Sequence, residues 1–106
     1  MYKSLTHDAF SSSLNSKFTV SVEPDRKLEL ELIEVSELKT SPSQEQFAIV
    51  FRGPNEIFLG QGMCTFEHEQ MGQFDLFLVP INQDRDGYYY EAIFNRVRDQ
   101  SESAAN

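Results

Sequence analysis

"FDLFLVPINQDRDGYYYEAIFNR" occupies residues 74–96, and its reading decides the fold. A strand with one solvated face alternates apolar and polar side chains. Here Phe77, Leu78, Val79, Pro80 and Ile81 follow one another without a polar break, so both faces of the segment are apolar. A strand over residues 74–82 is therefore expected to lie centrally in a sheet, one face in a core and the other covered by something else. "QDRDG" then makes a turn with Asp86-Gly87 at its tip. "YYYEAIFNR" returns as a strand with Tyr88, Tyr90, Ala92 and Phe94 on one side.

Working outward, "QMGQ" is the turn into Phe74, and "NEIFLGQGMCTFEHE" before it reads as a returning hairpin arm. Its centre is irregular, because Gly60 and Gly62 flank Gln61 where a regular strand would carry side chains, which predicts a bulge. Past it, Cys64, Phe66 and His68 share one face while Thr65, Glu67 and Glu69 share the other. "QFAIVFRGP" points Phe47, Ile49 and Phe51 inward and stops at Gly53-Pro54, and "KTSPSQE" before it is a polar loop. "KFTVSV", with Phe18, Val20 and Val22 on one face, and "LELELIEV", with Leu28, Leu30 and Leu32 set against Glu29 and Glu31, form a pair about the turn "EPDRK". The phase slips at Leu32-Ile33, as a bulge or barrel corner requires.

Near the N-terminus Thr6 is a good N-cap and Asp8 falls in the first turn, predicting a short helix over 7–14 with Leu5, Phe10 and Leu14 on its apolar side. "VRDQSESAAN" after the last strand has little to bury, so residues 97–106 read as a polar, disordered tail. Six short strands, joined by connections too short for helical crossovers, give an all-β class with one short N-terminal helix. The expected architecture is an antiparallel six-stranded meander closed into a small barrel or curled sandwich, a single domain over 1–96. A helix of that length spans roughly 12 Å at 1.5 Å per residue and covers two or three strands. The second face of 74–82 must then lie under that helix or under another protein chain.

The 106 residues include 17 acids and 9 bases, a net charge of -8 that repels phosphate backbones and anionic lipid. Nucleic acid and membrane are thereby disfavoured as partners. No run approaches the ~18 apolar residues of a membrane span, and the reading is of a soluble cytoplasmic protein. The one cysteine, Cys64, has no partner within its own chain, so disulfides do not hold the fold.

"FAIVFRGP", "QGMCTFEHEQMGQFDLFLVPI" and "YYYEAIFNR" together resemble an uncharacterised bacterial family, a domain of unknown function, across residues 10–96. The resemblance implies a compact β domain. It also implies an accessory or assembly role beside phage-tail-like fibre or collar proteins.

Chemistry is sparse in the sequence. Asn82, Asp84, Asp86 and Gly87 fit the first half of an EF-hand loop, but the twelfth position is Ile93 where a bidentate Glu belongs, and the flanks are strands. In "FEHE" alternation sends His68 to one side and both carboxylates to the other, so one metal cannot collect all three. Cys64 has no neighbouring base and reads as a small buried hydrophobe. The serines 11–13 lack the glycines of a nucleophile elbow. No nucleophile–base pair, metal triad or phosphate loop is assembled, so neither an enzyme nor a cofactor is expected. What remains is a recognition surface: Arg52, Asn95, Arg96 and the tyrosines Tyr88, Tyr89 and Tyr90 are residue types that anchor interfaces. The leading reading is a non-enzymatic protein-interaction or assembly module with a protein partner or as a homo-oligomer. A small barrel carrying an apolar ligand among its phenylalanines is the alternative.

Overall fold

The computed structural model describes residues 5–23 and 26–97; the side chains of Val22, Glu23, Arg96 and Val97 lie outside that description. Beyond Val97, the expected tail lies outside the described residues, as does the centre of the 23–27 turn. The elements are α1 (His7–Ser12), β1 (Lys17–Glu23), β2 (Arg26–Val35), β3 (Lys39–Thr40), β4 (Gln44–Gly53), β5 (Gly62–His68), β6 (Gly72–Asp84) and β7 (Gly87–Val97). Every pairing is antiparallel.

Two three-stranded meanders, β1-β2-β4 and β5-β6-β7, are joined edge to edge by β1–β5 and β4–β7, which closes a six-stranded barrel. Two-residue β3 adds to the edge of β4. The barrel, its antiparallel pairing and its single short helix are as the alternating pattern predicts. The path departs from strict chain order at one point. The arm expected to return along β4 does not do so: residues 54–61 cross to the far side, β5 begins only at Gly62, and β7 pairs along the whole of β4 from Gln44↔Val97 to Gly53↔Tyr88. Gly60 and Gly62 belong to this crossing and its exit. The phase slip in β2 is a true irregularity, since the β2–β4 register shifts between Leu32 and Glu34.

β6 changes partners midway. Its first half pairs with β5 as far as Gly62↔Leu78, and its second half pairs with β7 from Val79↔Glu91 onward. The change falls beside Pro80, which has no N–H to give a ladder, and the register shifts again between Pro80 and Asn82.

Phe18, Phe51 and Phe66 meet across the bore, with centroids 5.2 Å (Phe18–Phe51), 5.0 Å (Phe51–Phe66) and 6.3 Å (Phe18–Phe66) apart. With Leu30, Leu32, Ile49 and Leu78 they are fully buried. Each end has its own plug. At one end α1 lowers the fully buried Phe10 among Phe18, Phe47, Phe74 and Phe94, the last at 5.3 Å. The helix is shorter than its pattern suggests. Ser13 caps it with its N–H on the Phe10 carbonyl, Asn15 turns left-handed (φ 70°), and Leu14 is exposed rather than packed. At the opposite end the crossing segment buries Leu59, whose N–H donates to the hydroxyl of buried Tyr90 at 3.0 Å. Asn55 ties the same segment to the β6–β7 turn through the carbonyls of Asp84 and Arg85. Gly87 is required there, because a Cβ would stand 2.0 Å from the Gly53 carbonyl oxygen.

Candidate functional site

Because α1 stops one mouth of the barrel, it does not cover the outer face of β6: of the two expected covers, the helix or another protein chain, the helix is excluded. Inward-facing Leu76 and Leu78 fix the phase of β6, so Phe77 and Val79 point out. Buried Tyr90 and Ala92 likewise send Glu91 and Ile93 outward from β7. The registers assemble these residues into one surface. Met63 of β5 faces Phe77 of β6, Val79 faces Glu91 of β7, and across the next ladder Glu91 faces Val50 and Ile93 faces Ala48 of β4. Met63, Phe77 and Ile93 retain 70%, 48% and 63% of their accessible surface. Val79, Val50 and Ala48 between them are half-buried. Ile81, beside the Pro80 irregularity, is also exposed.

Half-buried Glu91 sits in the middle of this surface, opposite a valine on either side. No ion pair or side-chain hydrogen bond of the described residues engages its carboxylate. Three charges along the rims are already engaged. Arg52 donates to Glu31 at 2.7 Å, which raises its already high pKa. Asp75 accepts from the Thr65 hydroxyl, and Glu67 pairs with Lys27 at 3.5 Å. Beyond Ala48 and Ile93 a shallow cleft of about 210 Å³ is also lined by Glu37, Lys39 and Gln46.

The residues expected to form a recognition surface are dispersed. Arg52 and Tyr89 are cross-strand partners beyond the Val50–Glu91 pair. Tyr89 donates to Asp84, whose carboxylate also accepts the Asp86 N–H; the latter bond is the main cause holding the Asp84 pKa below its usual value. Asn95 faces Gln46 beyond the opposite rim, and Arg96 pairs with Glu45 along the backbone. Tyr90 is fully buried and Tyr88 leans inward onto it, at 6.4 Å between rings, so neither joins the outer face. Met63 was missed by sequence reasoning, and Glu91, which the sequence offers as a cross-strand ion-pair partner for Arg52, is not that partner, since Arg52 is held by Glu31. A lone Glu between Tyr and Ala looks like any solvated strand position until the ladder on both sides is known.

Other reactive groups are committed elsewhere. Nδ1 of His68 accepts the N–H groups of Gln70 and Met71, at 3.1 and 3.2 Å. Its proton therefore sits on Nε2 and is donated to the Ser16 hydroxyl at 2.9 Å. Ser16 in turn donates to the Ser13 carbonyl, and the imidazole lies 4.2 Å from the Phe18 ring. Burial lowers the His68 pKa. Cys64, half-buried, has its thiol pKa raised by burial. Asp84 and Asp86 close a two-residue hairpin rather than an ion-binding loop. Among the described residues no three His, Cys, Asp or Glu side chains gather as a metal site. None of the described helices is long and apolar enough to cross a membrane.

Compared with known proteins, residues 5–94 match the family described as Domain of unknown function (DUF6916). No curated protein and no solved structure matches.

Proposed function

The chain belongs to this family, and we propose that it is a non-enzymatic protein-interaction or assembly module whose docking surface is the outer face of β5, β6, β7 and β4. The observation that carries the reading is the exposure of Met63, Phe77 and Ile93 on adjoining strands, linked by half-buried valines. Contiguous apolar surface on an otherwise acidic protein costs solubility and is favourable only when covered. An accessory role in a phage-tail-like or fibre assembly is the narrower form of the proposal, with the same face as the point of attachment. The alternative of a ligand-carrying barrel is disfavoured by the three phenyl rings that meet across the bore.

The test is site-specific photocross-linking in the native host, with a benzophenone amino acid placed at Phe77, at Ile93 or at the control position Glu29 on the polar outer side of β2. Adducts to a second protein or a second copy are expected from Phe77 and Ile93 and absent from Glu29. Equal yields from all three positions, or none from the first two, overturn the reading.

A further inference from the structure

Resting on that reading, we infer that the occupant of this face is a partner protein presenting a lysine or arginine flanked by apolar side chains, with the cation seated on Glu91. The apolar surface alone does not choose among occupants; its single carboxylate does. Glu91 is half-buried, faces Val79 on one side and Val50 on the other, and has no ion pair or hydrogen bond to its side chain among the described residues. Covering the face with a purely apolar segment strips water from that carboxylate and returns nothing, which is the costly case for a buried charge. A cation placed among apolar groups pairs the carboxylate while the flanking residues cover Phe77, Ile93 and Met63.

Among the described residues no cation is paired with that carboxylate. Arg52, further along β4, is held by Glu31 at 2.7 Å, and Lys39 lies in the cleft beyond Ala48. A second copy is the wrong partner on the same grounds. A two-fold contact whose axis passes through the centre of the patch sets Glu91 against Glu91, two carboxylates that repel. The chain's charge of -8 adds a long-range repulsion between copies and an attraction for a basic partner.

The experiment is selection of a random linear heptapeptide library on the immobilised protein, run in parallel on Glu91→Lys and on the doubly charged variant Phe77→Glu/Ile93→Glu. Circular dichroism and thermal melts confirm that each variant is folded. The wild type is expected to enrich peptides with Lys or Arg between apolar residues, and Glu91→Lys to enrich Asp or Glu at that position. The best wild-type peptide, measured by calorimetry, should lose at least about tenfold in affinity on Glu91→Gln, the size of one charge-assisted hydrogen bond. Apolar peptides of the same composition from wild type and Glu91→Lys overturn the cation while leaving the docking face intact. Enrichment no different from the Phe77→Glu/Ile93→Glu control overturns the docking face itself. A dimer in sedimentation equilibrium that Phe77→Glu dissolves identifies a second copy as the occupant and overturns the inference.

Discussion

Replacing Tyr90 by Phe removes one oxygen from the barrel and nothing else. The ring stays, fully buried, so no cavity larger than a hydroxyl is made and the change isolates the hydrogen bond to Leu59. That bond closes one mouth of the barrel: the Leu59 N–H belongs to the 54–61 crossing, and Leu59 itself is 6% exposed. A typical hydrogen bond contributes about 1 kcal/mol net, but a buried N–H left without an acceptor costs about 1–3 kcal/mol. In a domain near this size each kcal/mol shifts Tm by about 4–8 °C. Tyr90→Phe should therefore lower Tm by about 4–24 °C and reduce the urea midpoint without changing the m-value. Hydrogen exchange locates the cause, because the Leu59 amide should lose protection while the β4–β7 amides exchange only as global stability dictates. An unchanged Tm, within about 1 °C, together with unchanged protection at Leu59, would refute the claim that this hydroxyl holds the crossing in place.

At the other mouth, Phe10→Ala empties the space among Phe18, Phe47, Phe74 and Phe94 and should cost about 3–5 kcal/mol by denaturant titration; a loss under about 1 kcal/mol would mean that α1 rests on the barrel without supporting it. His68 should make stability fall in acid. Its folded pKa is lowered by burial, so as pH drops below the unfolded value of about 6.5 the unfolded chain takes up a proton that the folded chain resists, and the stability present above that value is lost as pH falls through the folded pKa. Because Nδ1 already accepts two N–H groups, protonation also breaks the turn at Gln70 and Met71. His68→Gln, measured against the wild type from pH 8 to pH 4, should show a shallower loss over this window; parallel curves would contradict the assignment.

How much of this was legible in the sequence follows from the range of the forces involved. Alternation reports which side of a strand meets the core, so Phe47, Ile49 and Phe51, Leu28, Leu30 and Leu32, and Tyr88 against Tyr89 were readable from spacing alone. The slip at Leu32-Ile33 was readable for the same reason, since a change of phase is local. Partner choice is not local. Nothing within "NEIFLGQGMCTFEHE" says that it leaves β4 and crosses the mouth of the barrel, because the decision lies in the fit of Leu59 beneath Tyr90, 31 residues away in the chain.

The same limit explains why the apolar character of residues 74–82 was readable while its consequence was not. Both faces of β6 are apolar, as the unbroken run from Phe77 to Ile81 requires, but α1 was the wrong cover for the outer one. A six-residue helix with a single fully buried side chain goes where that side chain fits best, and Phe10 finds four phenyl rings at the mouth of the barrel. The outer face is then left to Met63, Phe77 and Ile93, and what would cover it is decided by one residue whose setting depends on two ladders at once. Glu91 becomes informative only when β4 brings Val50 to one side and β6 brings Val79 to the other. In water each of these groups is unexceptional; pressed beneath a partner, the carboxylate is the group whose satisfaction separates a basic occupant from a neutral one.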